Sequence, residues 1–363
     1  MAIEHIDIEF FLKFSEECPV LDVRSPGEFI HAHIPGAFSL PLFSDEQRKI
    51  IGTAYKQQSR QVAVKKGLEF FSEKMRVMLN EAEEIIKNNS TKFSNDNRVL
   101  LHCWRGGMRS RAVAWLLDLY GFKVFTLKGG YKSFRTWALN QFEKEYELNI
   151  LGGYTGSGKT DILQEIKKRG EAVIDLEYLA SHKGSAFGNL GEKPQPGQEM
   201  FENSLAVELF KKTAFRDIPP RDDNGEKTNS IQKIWIEDES RHIGTVGIPQ
   251  TFWNNMRTSR LYFLEIPFEE RLKHIVATYG KFEKKELVTS IMKIQKRLGG
   301  LETKNAINYL LENKVMECFS ILLHHYDKMY AAALLNRENI EVVLNKIPCE
   351  TVDVRNAGSL IKE

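Results

Sequence analysis

A glycine-rich stretch at residues 152–160, Gly-Gly-Tyr-Thr-Gly-Ser-Gly-Lys-Thr, follows a short apolar run and precedes a helix-like segment. From Gly153 to Thr160 its spacing matches the phosphate-loop pattern G-x-x-x-x-G-K-[ST]. Glycines let backbone N–H groups close around phosphate oxygens, while Lys159 and the positive end of the following helix attract the anion. We therefore expect a phosphorylated ligand to be bound by Gly153, Gly156, Ser157, Gly158, Lys159 and Thr160.

Three acidic residues are placed to serve the same phosphate site. Glu237 and Asp238 follow the apolar run 234–236, and Asp175 ends the second predicted strand of this half. Acids at such positions hold Mg²⁺ in many phosphate-loop enzymes, but charges that merely flank a strand end explain the pattern equally well. The loop motif is also compatible with ATP, whereas residues 345–348, Asn-Lys-Ile-Pro, lack the final Asp of a guanine-reading motif.

A second reactive position is Cys103, in the stretch LLHCWRGGMRSR at residues 100–111. A buried strand that ends at a glycine-containing loop before a helix turns backbone N–H groups inward and forms an anion-binding nest. Nearby cations and the helix dipole would lower the pKa of the thiol and make it a nucleophile. The residues expected to build this nest are Arg105, Gly106, Gly107, Arg109 and Ser110, with Arg111 close by.

The alternative for Cys103 is a small buried hydrophobic residue, which is the commonest role of a free cysteine. Three arginines and two glycines within a few residues favour the reactive interpretation, which requires that the sulfur be open to solvent. Cys18, Cys318 and Cys349 have no such surroundings, and we expect them to be structural.

The elements around both loops alternate between strands and helices, which predicts parallel sheets. Apolar residues spaced as on one helical face predict a helix over 68–87, and a polar-aromatic helix is predicted over 132–146. We expect domains at 1–135 and 148–363 joined by a connecting helix at 136–147. Strands are predicted at 20–23, 99–102, 123–127, 172–176, 233–237 and 260–266. Helices are predicted at 111–120 and, without a break, over 304–335. We also expect a mobile binding loop at 182–198 and an exposed insertion at 216–231.

The bulk composition of the 363-residue chain is that of an ordinary globular protein. Its 51 Lys and Arg nearly balance its 49 Asp and Glu, so any surface that binds nucleic acid must be local. No apolar run approaches the ~20 residues needed to span a bilayer, and the acidic N-terminus lacks the pattern of a signal peptide. Four scattered cysteines without C-x-x-C spacing argue against zinc and disulfides, and we expect a cytoplasmic protein with no membrane partner.

Several sequence blocks resemble known families. Residues 22–29 (DVRSPGEF), 33–37 (HIPGA), the Cys103 loop and 127–131 (LKGGY) look like a rhodanese domain, with Asp22 and Arg24 in its structural signature. Together with 52–57 (GTAYKQ), the phosphate loop, 182–188 (HKGSAFG) and 297–300 (RLGG), nearly the whole chain closely resembles the bacterial tRNA 2-selenouridine synthases. The resemblance implies an α/β protein, in which a rhodanese-like parallel-sheet domain precedes a P-loop NTPase-like α/β domain with a helical C-terminal part.

By that resemblance the chain is expected to be a transferase that replaces sulfur by selenium at 2-thiouridine in the wobble position (34) of tRNAs for Lys, Glu and Gln. Selenophosphate would donate selenium, geranyl diphosphate would form an S-geranyl intermediate, and a selenophosphate-supplying enzyme is a further implied partner. Cys103 would deliver selenium, with a selenopersulfide as one form. The phosphate loop would hold the geranyl donor's diphosphate, with Mg²⁺ on Thr160.

Basic residues near the cysteine loop are the expected contacts for tRNA phosphates, although a solvated helix face explains them nearly as well. They are Lys49, Lys56, Arg60, Lys65, Lys66 and Arg111, with Tyr55 placed to stack on a base. The same two sites also fit a rhodanese-type sulfurtransferase coupled to ATP-dependent substrate activation. A non-catalytic module is disfavoured because Cys103 and the Lys159–Thr160 pair are both present.

Overall fold

The computed structural model describes residues 3–93, 97–214 and 233–361, so the predicted insertion at 216–231 lies outside the described residues. The chain divides into two compact units. One comprises Met1–Gln141 together with Glu202–Val207, and the other comprises Phe142–Phe201 and Glu208–Glu363. Within the described ranges, no helix is both long and apolar enough to cross a bilayer.

The first unit contains a parallel five-stranded sheet in the order β1-β5-β4-β2-β3. Its strands are β1 (Glu4–Ile6), β2 (Val20–Asp22), β3 (Phe38–Ser39), β4 (Arg98–His102) and β5 (Lys123–Leu127). The central strand β4 is apolar along most of its length, as a parallel strand covered on both faces must be. Cys103 follows directly at its C-terminal end.

Six helices surround this sheet. They are α1 (Ile8–Phe14), α2 (Pro26–His31), α3 (Asp45–Gln57), α4 (Arg60–Asn88), α5 (Met108–Tyr120) and α6 (Gly130–Gln141). The predicted apolar stripe of α4 buries Phe71, Met78, Ala82 and Ile86 against the core, whereas Leu68 is exposed. Gly121 ends α5 with φ +113°, a conformation that glycine adopts without strain.

The second unit contains another parallel five-stranded sheet, in the order β12-β11-β6-β8-β7, and a two-stranded antiparallel hairpin. Its strands are β6 (Leu148–Gly153), β7 (Ala172–Ile174), β8 (Ile234–Glu237), β9 (His242–Ile243), β10 (Val246–Gly247), β11 (Arg260–Glu265) and β12 (Leu344–Pro348). Strand β6 is buried throughout and lies at the centre of the sheet, where the order of connections reverses. Ligands of parallel sheets bind beyond the C-terminal ends of the strands at such a point.

Helices cover this second sheet and continue as a helical C-terminal part. They are α7 (Lys159–Lys168), α8 (Leu176–Ala180), α9 (Gln198–Ala214), α10 (Gln250–Thr258), α11 (Phe268–Tyr279), α12 (Lys284–Lys293), α13 (Gln295–Leu298), α14 (Gly300–Leu311), α15 (Val315–Leu335), α16 (Ile340–Val343) and α17 (Ala357–Ile361). A separate apolar cluster, including Leu272, Ile291, Phe319 and Leu322, holds the helical part together.

The predicted fold class is confirmed, with local corrections. The edge strands β1 and β12 were not predicted, because each is short or polar and pairs on one side only. The continuous helix predicted over 304–335 is two helices, broken where Asn313 adopts φ +62°. The helix predicted over 132–146 ends at Gln141, and α5 begins at Met108, three residues before the predicted start.

Candidate active sites

The Cys103 loop lies between the end of β4 and the start of α5. Gly106 turns the loop with φ +63°, and residues 127–131, from the end of β5 to the start of α6, pack closely against it. The N–H of Tyr131 donates to the Cys103 carbonyl at 2.8 Å. A Cβ at Gly130 would lie 2.3 Å from the same carbonyl oxygen, so only glycine permits this approach.

The pKa of Cys103 is lowered despite burial, which by itself raises the pKa of a thiol. The largest cause that lowers it is the hydrogen bond to Ser110, whose Oγ lies 3.3 Å from the cysteine Sγ. The backbone N–H of Arg105, the charge of Arg109 and the backbone N–H of Gly107 lower it further. Burial alone instead raises the pKa of Cys318 to about 12 and also raises that of Cys349. Of these three buried cysteines, only Cys103 has surroundings that favour the thiolate.

The exposure of Cys103 differs from the sequence expectation. The residue is only 2% exposed and packs with the core of the first unit, so its sulfur is not open to bulk solvent. The loop around it is more accessible, since Trp104 and Arg105 are exposed and Gly106 and Gly107 are half-buried. Access to the sulfur is therefore restricted, which favours a small reactant over a large one.

The three arginines near Cys103 have different surroundings. Arg109 is half-buried and its Nη1 pairs with Glu28 Oε2 at 2.7 Å, while Arg105 and Arg111 are exposed. Arg24 forms a buried ion pair with Asp22 at 2.6 Å. These contacts keep Asp22 and Arg24 in the structural role that the rhodanese resemblance implies.

The phosphate loop follows β6 and leads into α7, whose N-cap is Gly158. Gly153, Gly156 and Gly158 have φ values of +154°, +84° and +71°, and Lys159 Nζ donates to the Gly153 carbonyl at 3.3 Å. The buried Ser157 Oγ has no hydrogen-bond partner among the described residues. The loop thus has the backbone geometry and the cation that a phosphate ligand requires.

Acidic side chains cluster beside Lys159 and Thr160. Glu237 is fully buried and accepts from the N–H groups of Leu176 and Glu177 at 3.1 and 3.4 Å. Burial and the nearby Asp175 carboxylate raise the pKa of Glu237 well above its ordinary value. Asp175 itself caps α8 by accepting from the N–H of Tyr178 at 2.7 Å.

Two members of this acidic cluster were missed by sequence reasoning. Glu177 accepts from Thr160 Oγ1 at 3.2 Å, and its pKa is raised, with burial as the largest cause. Burial and the neighbouring Glu177 raise the pKa of Glu239 to about 8. The position of Glu239, two residues after Glu237 at a strand end, was the signal available in the sequence.

Asp238 has a different environment from the other acids. Its Oδ2 accepts from Tyr330 at 2.6 Å and its Oδ1 pairs with the fully buried Arg337 side chain at 3.1 Å. Tyr330 also accepts from the N–H of Gly153 at 3.4 Å, so this network supports the first residue of the phosphate loop. These contacts give Asp238 a structural role as an anchor between β8 and α15.

The segment predicted as a mobile binding loop at 182–198 is held by specific contacts. Phe187 is 4% exposed and packs with Tyr279 and Phe319 in the helical cluster. The N–H of Ala186 donates to Tyr326 Oη at 3.3 Å. A Cβ at Gly184 would lie 2.6 Å from a Glu239 oxygen, so this loop closes against the acidic cluster.

A cavity of about 630 Å³ lies at the C-terminal ends of β11 and β12. Tyr154 of the phosphate loop forms part of its wall. Two of its charged residues are already paired, Arg271 with Asp327 at 2.7 Å and Glu265 with Lys346 at 2.6 Å. The cavity is lined by Tyr154, Glu265, Ile266, Pro267, Arg271, Pro348, Cys349 and Glu350.

Most of the predicted tRNA-contacting residues lie on α3 and the first turns of α4, whereas Arg111 lies on α5. Lys49, Tyr55, Lys56, Arg60 and Lys65 are exposed, whereas Lys66 is half-buried. In the part of the chain that the structure describes, none of these cations takes part in an ion pair. They form a basic surface on the first unit whose charges are not engaged in ion pairs within the described residues.

Comparison with known proteins now identifies the family. A family model described as "tRNA 2-selenouridine synthase AAA domain" matches residues 146–348, and one described as "Rhodanese-like domain" matches residues 9–136. A tRNA 2-selenouridine synthase of Pseudomonas putida (strain W619) is 32% identical over 363 residues, covering 91% of this chain and 92% of that protein. The chain belongs to the tRNA 2-selenouridine synthase family.

Two further relatives in the family align with a smaller part of the chain. The tRNA 2-selenouridine synthase of Nitrosomonas europaea is 36% identical over 271 residues, which is 73% of this chain. The chain spans 64% of the length of that relative and of its Nitrosomonas eutropha counterpart. One solved structure, the N-terminal domain of a Clostridium difficile 630 protein named for ATP/GTP binding, shares 33% identity over 38% of this chain and 99% of that chain, with a TM-score of 0.34.

Proposed function

We propose that this protein exchanges the sulfur of a tRNA wobble 2-thiouridine for selenium, through an S-geranyl-2-thiouridine intermediate. Selenophosphate would supply selenium and geranyl diphosphate would supply the alkyl group. The observation that carries the proposal is the presence of two separate loops suited to anions in one member of this family, one around Cys103, whose pKa is lowered by its loop, and one with the phosphate-loop geometry. Two anionic co-substrates with different chemistry need two such sites.

The phosphate loop suits the diphosphate, and the adjacent cavity suits the ten-carbon chain. At about 630 Å³ the cavity lies within the range of small-molecule sites, and Tyr154, Ile266, Pro267, Pro348 and Cys349 give it apolar walls. Its Arg271 and Glu265 side chains are paired with other residues, which reduces the polarity offered to a ligand.

In the geranyl step, the bond between C1 of the chain and the diphosphate oxygen breaks, and its electron pair leaves with the diphosphate. The thiouridine sulfur forms the new bond to C1, and the base loses its N3 proton. Lys159 and the N-terminus of α7 stabilise the departing anion. Alkylation makes the sulfur a better leaving group, because it then departs from C2 as a thiol when selenium adds.

Mg²⁺ fits the phosphate loop only as an ion shared with the ligand. Among the described residues, no three His, Cys, Asp or Glu side chains converge as a ligand set. Thr160 would hold the ion, and its field would lower the raised pKa values of Glu177, Glu237 and Glu239, so that these acids ionise and balance its charge from the surroundings. When bound, Mg²⁺ would neutralise charge on the departing diphosphate.

The tRNA would be held through the basic surface on α3 and α4, with Tyr55 available for stacking on an unpaired base. Its cellular targets would be the tRNAs for Lys, Glu and Gln, which places the reaction in the cytoplasm together with the selenophosphate-supplying enzyme.

The test is mass spectrometry of tRNA nucleosides from selenite-supplied cells with and without this protein. We expect 2-selenouridine and S-geranyl-2-thiouridine to disappear on deletion and to return on complementation. Purified protein should show neither cyanide-dependent sulfur transfer from thiosulfate nor ATP turnover as its main activity. Strong activity in both of those assays, with unchanged nucleosides, would instead identify a sulfurtransferase coupled to ATP.

A further inference from the structure

The burial of Cys103 limits what its sulfur can contact. The residue is 2% exposed, and its loop is fixed by the Tyr131 N–H bond to the Cys103 carbonyl at 2.8 Å. A selenium atom attached to Sγ would lie only one bond further out than this covered sulfur. A base carried on a tRNA backbone needs far more room at such a position than a small tetrahedral anion does.

The donors around Cys103 suit a phosphoryl group. The N–H groups of Arg105 and Gly107 act on the sulfur, and α5, a helix of 13 residues, begins at Met108 with its positive end at the loop. The Ser110 hydroxyl lies 3.3 Å from Sγ. Donors that converge on one point stabilise the charge spread over the oxygens of a transferring phosphoryl group.

Electron balance also separates the two ways in which Cys103 can use selenophosphate. Selenium in selenophosphate is at the selenide level, so placing it on Cys103 as a selenopersulfide creates an S–Se bond and needs a two-electron oxidant. All four cysteines of the chain are free and buried, so no disulfide is present to act as that oxidant. Attack of the thiolate on phosphorus needs none, because phosphorus and selenium keep their oxidation states.

We infer that Cys103 is a nucleophile toward the phosphorus of selenophosphate. This inference rests on selenophosphate being the donor, as proposed above. The new S–P bond forms while the P–Se bond breaks, and the electron pair leaves on selenium as hydrogen selenide. Water then attacks phosphorus, the S–P bond breaks and the thiolate and phosphate are restored. The buried cysteine thus releases a small selenium nucleophile, and the tRNA base never has to contact Sγ.

Ser110 has a defined role in this cycle. Its hydroxyl now donates to the Gly107 carbonyl at 3.1 Å, and it can turn to the sulfur when the thiolate forms. It therefore stabilises the leaving thiolate in the hydrolytic half of the reaction. A hydrogen bond to a charged group contributes about 1.5–3 kcal/mol, so its loss should slow that half about tenfold or more.

The test uses the full chain and selenophosphate labelled with both ³²P and ⁷⁵Se, quenched in denaturant during a single turnover with and without S-geranyl tRNA. We expect ³²P without ⁷⁵Se on the peptide that contains Cys103. The Ser110→Ala variant should lose ³²P from this peptide about tenfold more slowly during the turnover. Cys103→Ala should carry no label, and Cys18→Ala, which alters another buried cysteine of the same unit, should label like wild type.

Each contrary outcome has a distinct meaning. Selenium on Cys103 without phosphorus would overturn the inference in favour of a selenopersulfide. Consumption of selenophosphate with neither label on the protein would also overturn it, because Cys103 would not be the nucleophile. If wild-type protein with S-geranyl tRNA did not consume selenophosphate, the donor assignment in the proposed function would fail, and the inference with it.

Discussion

The Cys103 loop and the phosphate loop share one backbone plan. Each follows the C-terminal end of a buried strand inside a parallel sheet, β4 in one unit and β6 in the other. Each contains at least one glycine with positive φ, Gly106 in one and three glycines in the other, and each runs into a helix of 10 residues or more. This plan directs backbone N–H groups and the positive end of a helix toward an anion.

The ionisable side chains around the two loops differ in kind. Arg105, Arg109 and Arg111 accompany Cys103, whereas Asp175, Glu177, Glu237 and Glu239 surround the phosphate loop and its Lys159. A cationic setting stabilises an anion that belongs to the protein, here the thiolate. Carboxyl groups with raised pKa values suit a ligand anion that arrives with its own cation, because the cation lowers their pKa and lets them ionise. Under the proposed function, the same backbone plan would therefore serve a nucleophile in one unit and a leaving group in the other.

The largest expected effect is a separation of the two half-reactions. Cys103→Ala should lower selenium incorporation by at least about 10³-fold while leaving geranylation unchanged, because only the first reaction uses the thiolate. Lys159→Ala should lower geranylation about 100-fold, since it removes the cation at the departing diphosphate. Nucleoside mass spectrometry of 2-thiouridine tRNA treated with each purified variant measures both products.

S-geranyl tRNA provides the control for this separation. Lys159→Ala should convert this pre-alkylated substrate to 2-selenouridine at close to the wild-type rate, which also shows that the variant is folded. If the Cys103→Ala variant still incorporated selenium, this reaction would not need the thiolate. The proposed difference in function between the two loops would then be wrong.

A smaller effect distinguishes the acids near the phosphate loop. Asp238→Asn leaves the buried Arg337 without its counter-charge and should lower the free energy of unfolding by about 3 kcal/mol. Asp175→Asn should change it by less than about 0.5 kcal/mol, because Asn caps a helix as well as Asp does. Chemical denaturation at neutral pH measures both. If the Asp238→Asn variant were as stable as wild type but bound Mg²⁺ more weakly, the structural role of Asp238 would be wrong. Asp238 would then belong to the metal site, as the sequence predicted.

The pH dependence of stability should differ between two buried cysteines. The pKa of Cys103 is lowered in the folded state, so its ionised form stabilises the fold. The free-energy difference between wild type and Cys103→Ala should therefore increase as pH rises from the folded pKa toward the unfolded value of about 8.5. The part of this difference that comes from ionisation should be lost as the pH falls through the pKa of Cys103 in the folded protein.

Cys318 is the matched comparison, because burial raises its pKa to about 12. The difference between wild type and Cys318→Ala should be constant below about pH 8.5 and decrease above it, as the unfolded thiol ionises first. Denaturation at several pH values measures both trends. A Cys103 difference that falls with rising pH would mean that its surroundings do not favour the thiolate.

The smallest expected effect concerns the basic surface near the Cys103 loop. Lys49→Ala and Lys65→Ala should each reduce the slope of log affinity for tRNA against log salt by about 1, if each side chain contacts a phosphate. Lys123→Ala is the control in the same unit, because Lys123 is exposed but lies 4.0 Å from the Glu4 carboxylate. Unchanged slopes in the first two variants would identify a solvated helix face.

Much of the fold was predictable because its signals are local. The apolar runs of β4, β5 and β6 and the glycine at the end of α5 lie within single short segments. The edge strands β1 and β12 were missed, because a strand with one partner and a polar sequence carries little periodic signal. Both loops were predicted for the same local reason, since strand, glycines and helix are consecutive in each.

The residues that complete the phosphate site were harder to predict. Tyr330 and Arg337 meet Asp238 across 92 and 99 residues of sequence. Glu177 reaches Thr160 across 17 residues, from a short helix whose position depends on the sheet. No spacing rule connects such positions, because their proximity results from the order of strands in the sheet.

The sequence by itself determined that two glycine-containing loops each join a buried strand to a helix and that one carries a cysteine in a basic setting, because these features depend on consecutive residues and local backbone preference. Anion binding by these loops remains a prediction. Only the tertiary structure decided that Cys103 is buried, that Asp238 is an anchor and that Glu177 and Glu239 complete the acidic cluster. Burial and charge pairing depend on which distant segments pack together, and the close approach of Gly130 to the Cys103 carbonyl is one such contact.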